Sequence, residues 1–308
     1  MRERSGGLLL VCLWGGAPSL WGQCSQPVRY EDAPEAVCDV RDERITEASG
    51  VVTSRRNPGC YYVHNDSGDA ARVFLVDRQG RTRLTVNLTH AHAVDYEDIA
   101  LAPGKLPGTF DVCVADIGDN QQNHTDVVIY RFPEVELKEG GGKAIEVEPT
   151  VFRLRYADGP ADAEAFCVQP RTGDGYILTK RTDGRSFVYK LPAPWDASRE
   201  TVLEKCLTLE LPPGIPLARV VTAADISSDG CRVAVRCYVQ GWEWRLPTDG
   251  AERNWERVFQ TKPVSLPLAA EPVGEGLCYA ADGRAILTIS EGKRPTLYEL
   301  RVRPQKAP

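Results

Sequence analysis

The sequence predicts an all-β chain, folded as a single β-propeller of five or six four-stranded blades. Three observations predict it. Asp66-Ser67-Gly68-Asp69 returns 50 residues later as Asp116-Ile117-Gly118-Asp119, and Glu47 returns in the same register as Glu97. Short β-branched or aromatic runs alternate with Gly, Asp and Pro turns along the chain. No amphipathic helix longer than two turns is legible. A unit repeated at about this spacing has the length of a four-stranded blade, roughly 40–50 residues, and points to a propeller or solenoid.

Taken in order, the chain opens on a segment that reads as a secretory signal. Arg2 and Arg4 form a basic start, and Gly7 to Gly16 is mostly apolar. Cleavage near Ala17 or Gly22 divides the chain into a signal peptide over 1–22 and a propeller domain over 23–308, and places the product outside the cytoplasm, secreted or periplasmic. The apolar run is too short for a membrane anchor, and no later segment reaches about 18 apolar residues, so no membrane span is expected. A strand within Val28 to Arg44 is expected to close the ring against Leu297 to Val302.

Five units follow. They open at Glu47-Ala48-Ser49-Gly50, Glu97-Asp98-Ile99-Ala100, Glu164-Ala165-Phe166-Cys167, Asp225-Ile226-Ser227-Ser228 and Glu275-Gly276-Leu277-Cys278, at spacings of 50, 67, 61 and 50 residues. The two longer units hold insertions, one carrying Gly140-Gly141-Gly142 as a loop tip, or conceal a sixth blade. Within the units, strands are read at Tyr61-Tyr62-Val63, Val73 to Val76, Val127 to Tyr130, Tyr176 to Leu178, Phe187 to Tyr189, Arg232 to Cys237 and Ala285 to Ile289. Asp77-Arg78-Gln79-Gly80, Asp229-Gly230 and Asp282-Gly283 mark hairpin turns.

Composition narrows the function. The chain has 308 residues and a net charge of −6, with no basic cluster, which disfavours nucleic acid as a partner. Nine cysteines follow the signal segment, without a C-x-x-C pair, so a zinc site is not indicated. Most lie inside apolar strands as small hydrophobes. Cys24 and Cys38 flank a short segment and are the expected disulfide. His90 and His92 lack a third ligand and read as loop residues. G-x-S-x-G, H-E-x-x-H, the P-loop and G-x-G-x-x-G are all absent, which disfavours the usual serine elbow. Of three glycosylation sequons, at Asn65, Asn87 and Asn123, the first lies inside the acidic motif, where a glycan would obstruct it.

The acidic positions carry the functional expectation. In a propeller the innermost strands line a channel, and their entry loops share one face with the loops after the second strands. The opening acids should converge there with the tips at Asp66, Asp116, Lys180-Arg181, Arg236 with Tyr238, and Ser290-Glu291. Carboxylates sharing one mouth repel, and protons, basic side chains or a metal must neutralise them. Glu47, Asp66, Glu97, Asp116, Asn120, Glu164 and Glu275 are the oxygen ligands that a hard cation such as Ca²⁺ takes. Gly68 and Gly118 would allow the turns that aim the aspartates.

His64-Asn65-Asp66-Ser67-Gly68-Asp69, with Asp95 to Ala100, Asp116 to Asn120, Asp162-Ala163-Glu164-Ala165 and Gly274-Glu275-Gly276, resembles a group of exported bacterial β-propeller proteins that shares these motifs without one defined activity. The resemblance runs from about Ile45 to Val302. More distantly the chain is similar to esterase-like and phytase-like propellers and to six-bladed gluconolactonase/regucalcin-like propellers. That similarity implies a divalent cation in the channel, with Glu47, Glu97, Glu164 and Glu275 as its ligands; Asp225 departs from the pattern, and the lactonase-type metal set is incomplete.

The expected function is metal-assisted hydrolysis of a small ester, lactone or phosphoester by a monomer. Asp116 or Glu97 would take a proton from water, and Lys180 or Arg236 would hold the developing anion. The rival is a non-catalytic module that binds a glycan, peptide or protein at the same mouth. Exposed aromatics at Tyr238, Trp242 and Trp244 would favour a glycan.

Overall fold

The β-branched and aromatic runs all fall in strands of a computed structural model, which describes residues 24, 28–138, 143–246 and 255–304. The signal segment over 1–22 and the triple glycine lie outside the described residues. After β1 (Glu35–Asp39), the chain makes an antiparallel meander of β2 (Ala48–Thr53), β3 (Cys60–Asn65), β4 (Arg72–Asp77) and β5 (Thr82–Leu88). A second meander comprises β6 (Tyr96–Pro103), β7 (Phe110–Asp116) and β8 (Val127–Pro133). The chain then detours through β9 (Ala144–Val147), which adds in parallel to β5, before returning as β10 (Thr150–Tyr156) beside β8.

The third meander is β11 (Ala163–Val168), β12 (Gly175–Thr179), β13 (Arg185–Leu191) and β14 (Thr201–Glu210). A short parallel pairing of β10 with β14 joins the second and third meanders into one eight-stranded sheet. The fourth is β15 (Val221–Ile226), β16 (Arg232–Cys237), β17 (Gln240–Arg245) and β18 (Val264–Leu266), and the fifth is β19 (Gly274–Tyr279), β20 (Ala285–Ser290) and β21 (Thr296–Arg301). The fifth is completed by β1, which pairs antiparallel with β21, with Tyr30 bridging to Val302 beyond it. The second unit's long spacing is thus an insertion that extends a neighbouring sheet. No sixth meander exists among the described residues.

Burial grades outward. β2, β3, β11, β12, β16, β19 and β20 are buried at every position; their sequences are mostly small and apolar, broken by buried polar residues that include His64, Glu164, Arg236 and Glu275. The outer β10 alternates exposed and buried positions. Core clusters form between successive meanders: Phe152 and Ile129 against Phe166 and Tyr189, Cys167 and Tyr176 against Val235 and Trp244, Ala223 and Ala234 against Leu277 and Ile286. The cluster around Val51, Phe74 and Val114 also takes in Leu287 and Ile289 of the fifth meander. The first strands accordingly pack in a cycle: β2 on β6, β6 on β11, β11 on β15, β15 on β19, and β19 back on β2.

Side chains seal these seams. The Asp98 carboxylate is fully buried and accepts from the amides of Ile99, Phe166 and Ala224 at 2.8, 2.9 and 3.2 Å, so one acid ties three first strands. Asp225, which the sequence suggested as a unit's opening acid, accepts from Ile226 and Tyr279 amides at 2.8 and 2.7 Å and joins β15 to β19. Ser49 donates to the Glu97 carbonyl at 2.6 Å, and Thr222 to the Gly274 carbonyl at 2.9 Å.

The expected Cys24–Cys38 disulfide is not formed: Cys24 bonds to Cys231, 207 residues away, at the fourth meander. Cys38 lies in β1 instead, with its thiol 3.9 Å from the Asp77 carbonyl. Closeness in sequence misled here because the N-terminal segment spans two sheets.

Candidate metal centre

Each first strand begins with an irregularity in its ladder. Pairing skips Ser49 in β2, Glu97 in β6, Glu164 in β11, Thr222 in β15, and Glu275 with Gly276 in β19. Such a bulge re-aims the skipped side chain. Three of the five therefore present a glutamate, and two present a hydroxyl that seals a seam.

A backbone bond fixes the loop beside four of the five bulges. Asp66 N donates to Glu47 O, Ile117 N to Asp95 O, Lys180 N to Asp162 O and Glu291 N to Val273 O. The acidic partners of Glu97 and Glu164 are thus Asp95 and Asp162, each two residues upstream. Oxygens of Asp66, Asp95 and Glu97 lie within 4.8 Å of one another, as do those of Glu97, Asp162 and Glu164. Glu97 belongs to both groups. Asp95 and Asp162 were not among the predicted ligands, although the D-x-E spacing shared by Asp95-Tyr96-Glu97 and Asp162-Ala163-Glu164 was the signal for them.

Gly118 is part of this construction. A Cβ there would lie 2.2 Å from Glu97 Oε1 and 2.4 Å from Asp95 Oδ2, so only glycine admits the two carboxylates. Gly68 differs: its φ is +80° and a Cβ would meet nothing within 4 Å, so it serves a turn alone.

The remaining predicted residues separate. Glu47 is exposed and belongs to neither group, because Ser49 holds the position matching Glu97. Asn120 is exposed and outside both groups. Asp116 is buried, and its carboxylate accepts from the amides of Val94 and Asp95 at 3.3 and 2.8 Å, which holds the loop carrying Asp95. Asn65, unremarked as a site residue, does the same for Thr46 and Glu47, at 3.1 and 3.2 Å, and is too buried for a glycan. Arg236 is buried against Glu271 at 2.7 Å and donates to Gly276 O, so it buttresses β19 from behind. Lys180 is in the cluster, ion-paired with Glu164 and 5.7 Å from the Tyr238 ring centroid.

Glu275 is only 4% exposed, and its Oε2 has no hydrogen-bond partner among the described residues. Burial, then repulsion from Glu164 and Glu291, pushes its carboxyl up to about 9. Burial also raises Asp95 to about 6, with Asp66 and Asp162 adding repulsion. Glu164 rises to about 7, because burial outweighs the pull of Lys180. Glu97 is pushed well above the usual range by burial and then by Glu164. The cluster gathers more carboxylates than Lys180 alone can neutralise.

The aromatic platform expected for a glycan is not assembled. Trp244 is buried in the core and Trp242 packs half-buried against it. His90 and His92 are exposed in a loop, as expected. No protein-family model matches the chain, and no curated protein matches it.

Proposed function

We propose that the protein is a five-bladed β-propeller whose channel mouth binds a divalent cation, Ca²⁺ foremost, and that this centre serves hydrolysis of a small anionic ester, lactone or phosphoester. The cyclic packing of five first strands supports the propeller. One observation carries the cation: two carboxylate triads that share Glu97, with oxygens inside 4.8 Å. The donor set fits, since carboxylate oxygens are what a hard cation takes. The unpartnered oxygen of Glu275 and the upward shifts of Asp95, Glu97 and Glu164 mark a charge excess that a cation relieves. A divalent ion bound there supplies Lewis acidity and a more acidic water.

The chain's own residues supply the rest. Asp66 and Asp95, half-buried at the rim, are the members open to a substrate, and Asp95 replaces Asp116 as the proton acceptor beside Glu97. Lys180 is the cation placed to meet a substrate anion. Arg236 is withdrawn from that role by Glu271. The disulfide between Cys24 and Cys231 supports an exported, oxidising location.

A binding module is favoured by one specific observation: Lys180 already pairs with Glu164. Thermal unfolding in EDTA and across a calcium titration, with elemental analysis, tests the centre first, because a ligand of the native state raises Tm by mass action. Near-stoichiometric metal and a calcium-dependent rise are expected, both lost in Glu97→Gln. An unchanged calcium response in that variant sinks the shared site. Metal-dependent turnover of nitrophenyl phosphate, nitrophenyl acetate or a lactone then separates the hydrolase from the binding module.

A further inference from the structure

The end of the molecule opposite the acidic mouth carries a cleft of about 800 Å³, walled by the ends of β2, β6 and β8, the starts of β7 and β10, and the loop after β13. Its volume falls within the range of small-molecule sites, roughly 300–1,000 Å³. Phe110, Phe152 and Trp195 form its aromatic wall, with Phe152 and Trp195 edge to face at 5.3 Å. Arg131 lies over the Trp195 ring at 5.0 Å and Arg55 over Phe110 at 5.6 Å, so cations are laid directly on aromatic faces.

The charge here runs against the rest of the protein. Arg55, Arg56, Lys105 and Arg131 line the cleft with Asp111 and Glu134, and Glu136 beside it pairs with Arg56 at 2.6 Å. Both lining acids are spent internally. Asp111 accepts from Arg131 at 2.8 Å, while Glu134 accepts from the Ser54 hydroxyl at 2.7 Å and from the amides of Arg55 and Arg56. Lys105 has no ion-pair partner among the described residues and is exposed at the lip. Two donors of this wall, Arg55 Nε and Trp195 Nε1, also lack an acceptor among the described residues. The cleft therefore presents the unpaired Lys105, two unpartnered buried donors and more cationic than anionic lining side chains, in a chain of net charge −6.

We propose that this cleft is a second binding site, for a small organic anion with a flat apolar body, such as an aromatic carboxylate. The ring would lie along Phe110, Phe152 and Trp195, with its anionic edge toward Lys105 and the two stacked arginines. Nothing in this site draws on the carboxylates of the mouth.

The test is a titration of the full protein with 2-naphthoate and, separately, with neutral 2-naphthalenemethanol, followed calorimetrically and by tryptophan fluorescence. Naphthoate is expected to bind at least about tenfold more tightly than the alcohol, and to weaken as salt rises. Lys105→Glu changes an exposed side chain and should keep the fold, seen as an unchanged Tm, while weakening naphthoate about fivefold or more. Trp195→Phe keeps an aromatic wall and should remove most of the fluorescence response while retaining calorimetric binding. No binding of naphthoate, equal affinity for acid and alcohol, or an unaltered affinity in Lys105→Glu would each overturn the proposal.

Discussion

Gly118 and Gly68 look like one residue repeated, yet they answer to different physics. Gly118→Ala drives a methyl into Glu97 and Asp95, so it should abolish the calcium-dependent rise in Tm while the metal-free protein still melts cooperatively. Gly68→Ala faces open space but a left-handed backbone; it should cost about 1 kcal/mol of stability, read by urea unfolding, and leave the calcium response intact. The repeat was legible because its letters recur, and the letters are also why its register was misread. Aligning Asp66 with Asp116 pairs identical residues. The hairpins instead place Asn65 in the position of Asp116, since an amide oxygen and a carboxylate oxygen cap a two-amide loop equally well. Ser49 and Glu97 are 48 residues apart while Asn65 and Asp116 are 51 apart, so the single offset of 50 made Glu47 look like a partner of Glu97 and left Asp95 and Asp162 unnoticed.

At the level of strands, the sequence announced each element through its apolar runs but gave no warning of how first strands are sewn together. A buried acid in an all-apolar run suggests a site; Asp98 and Asp225 are instead acceptors for amides on neighbouring strands. Asp98→Asn offers one acceptor oxygen where two are used, so at least one amide among Ile99, Phe166 and Ala224 loses its partner. The expected loss is about 2–3 kcal/mol in chemical denaturation, with calcium affinity of the folded fraction unchanged. The bulges were equally silent, because a skipped residue leaves no mark in a pattern of period two. Their consequence is the site itself, since the same irregularity turns Glu97 and Glu164 toward each other and Ser49 and Thr222 toward adjacent strands.

Across the whole molecule, the acidic cluster makes stability depend on pH in an unusual direction. Asp95, Glu164 and Glu275 have carboxyls raised to about 6, 7 and 9, so the native state binds more protons than the unfolded chain between about pH 4 and pH 9. Metal-free protein should therefore lose stability steadily as pH rises through that window, and added calcium should flatten the slope; a metal-free Tm that climbs from pH 5 to 8 would contradict the charge excess. Cys231→Ser should cost about 2–5 kcal/mol in oxidising buffer and nothing further in reducing buffer, because the bond closes a loop of most of the chain. The pairing of β1 with β21 has another consequence, one of timing. A ribosome delivers Glu35–Asp39 first and Thr296–Arg301 about 260 residues later, at roughly 5–20 residues per second. The earliest of the described strands to leave the exit tunnel is thus the last to find its neighbour, and for tens of seconds it is a bare strand edge. Glu35 and Asp39 at its two ends put like charge on that edge, which discourages two nascent chains from pairing with each other before either is finished.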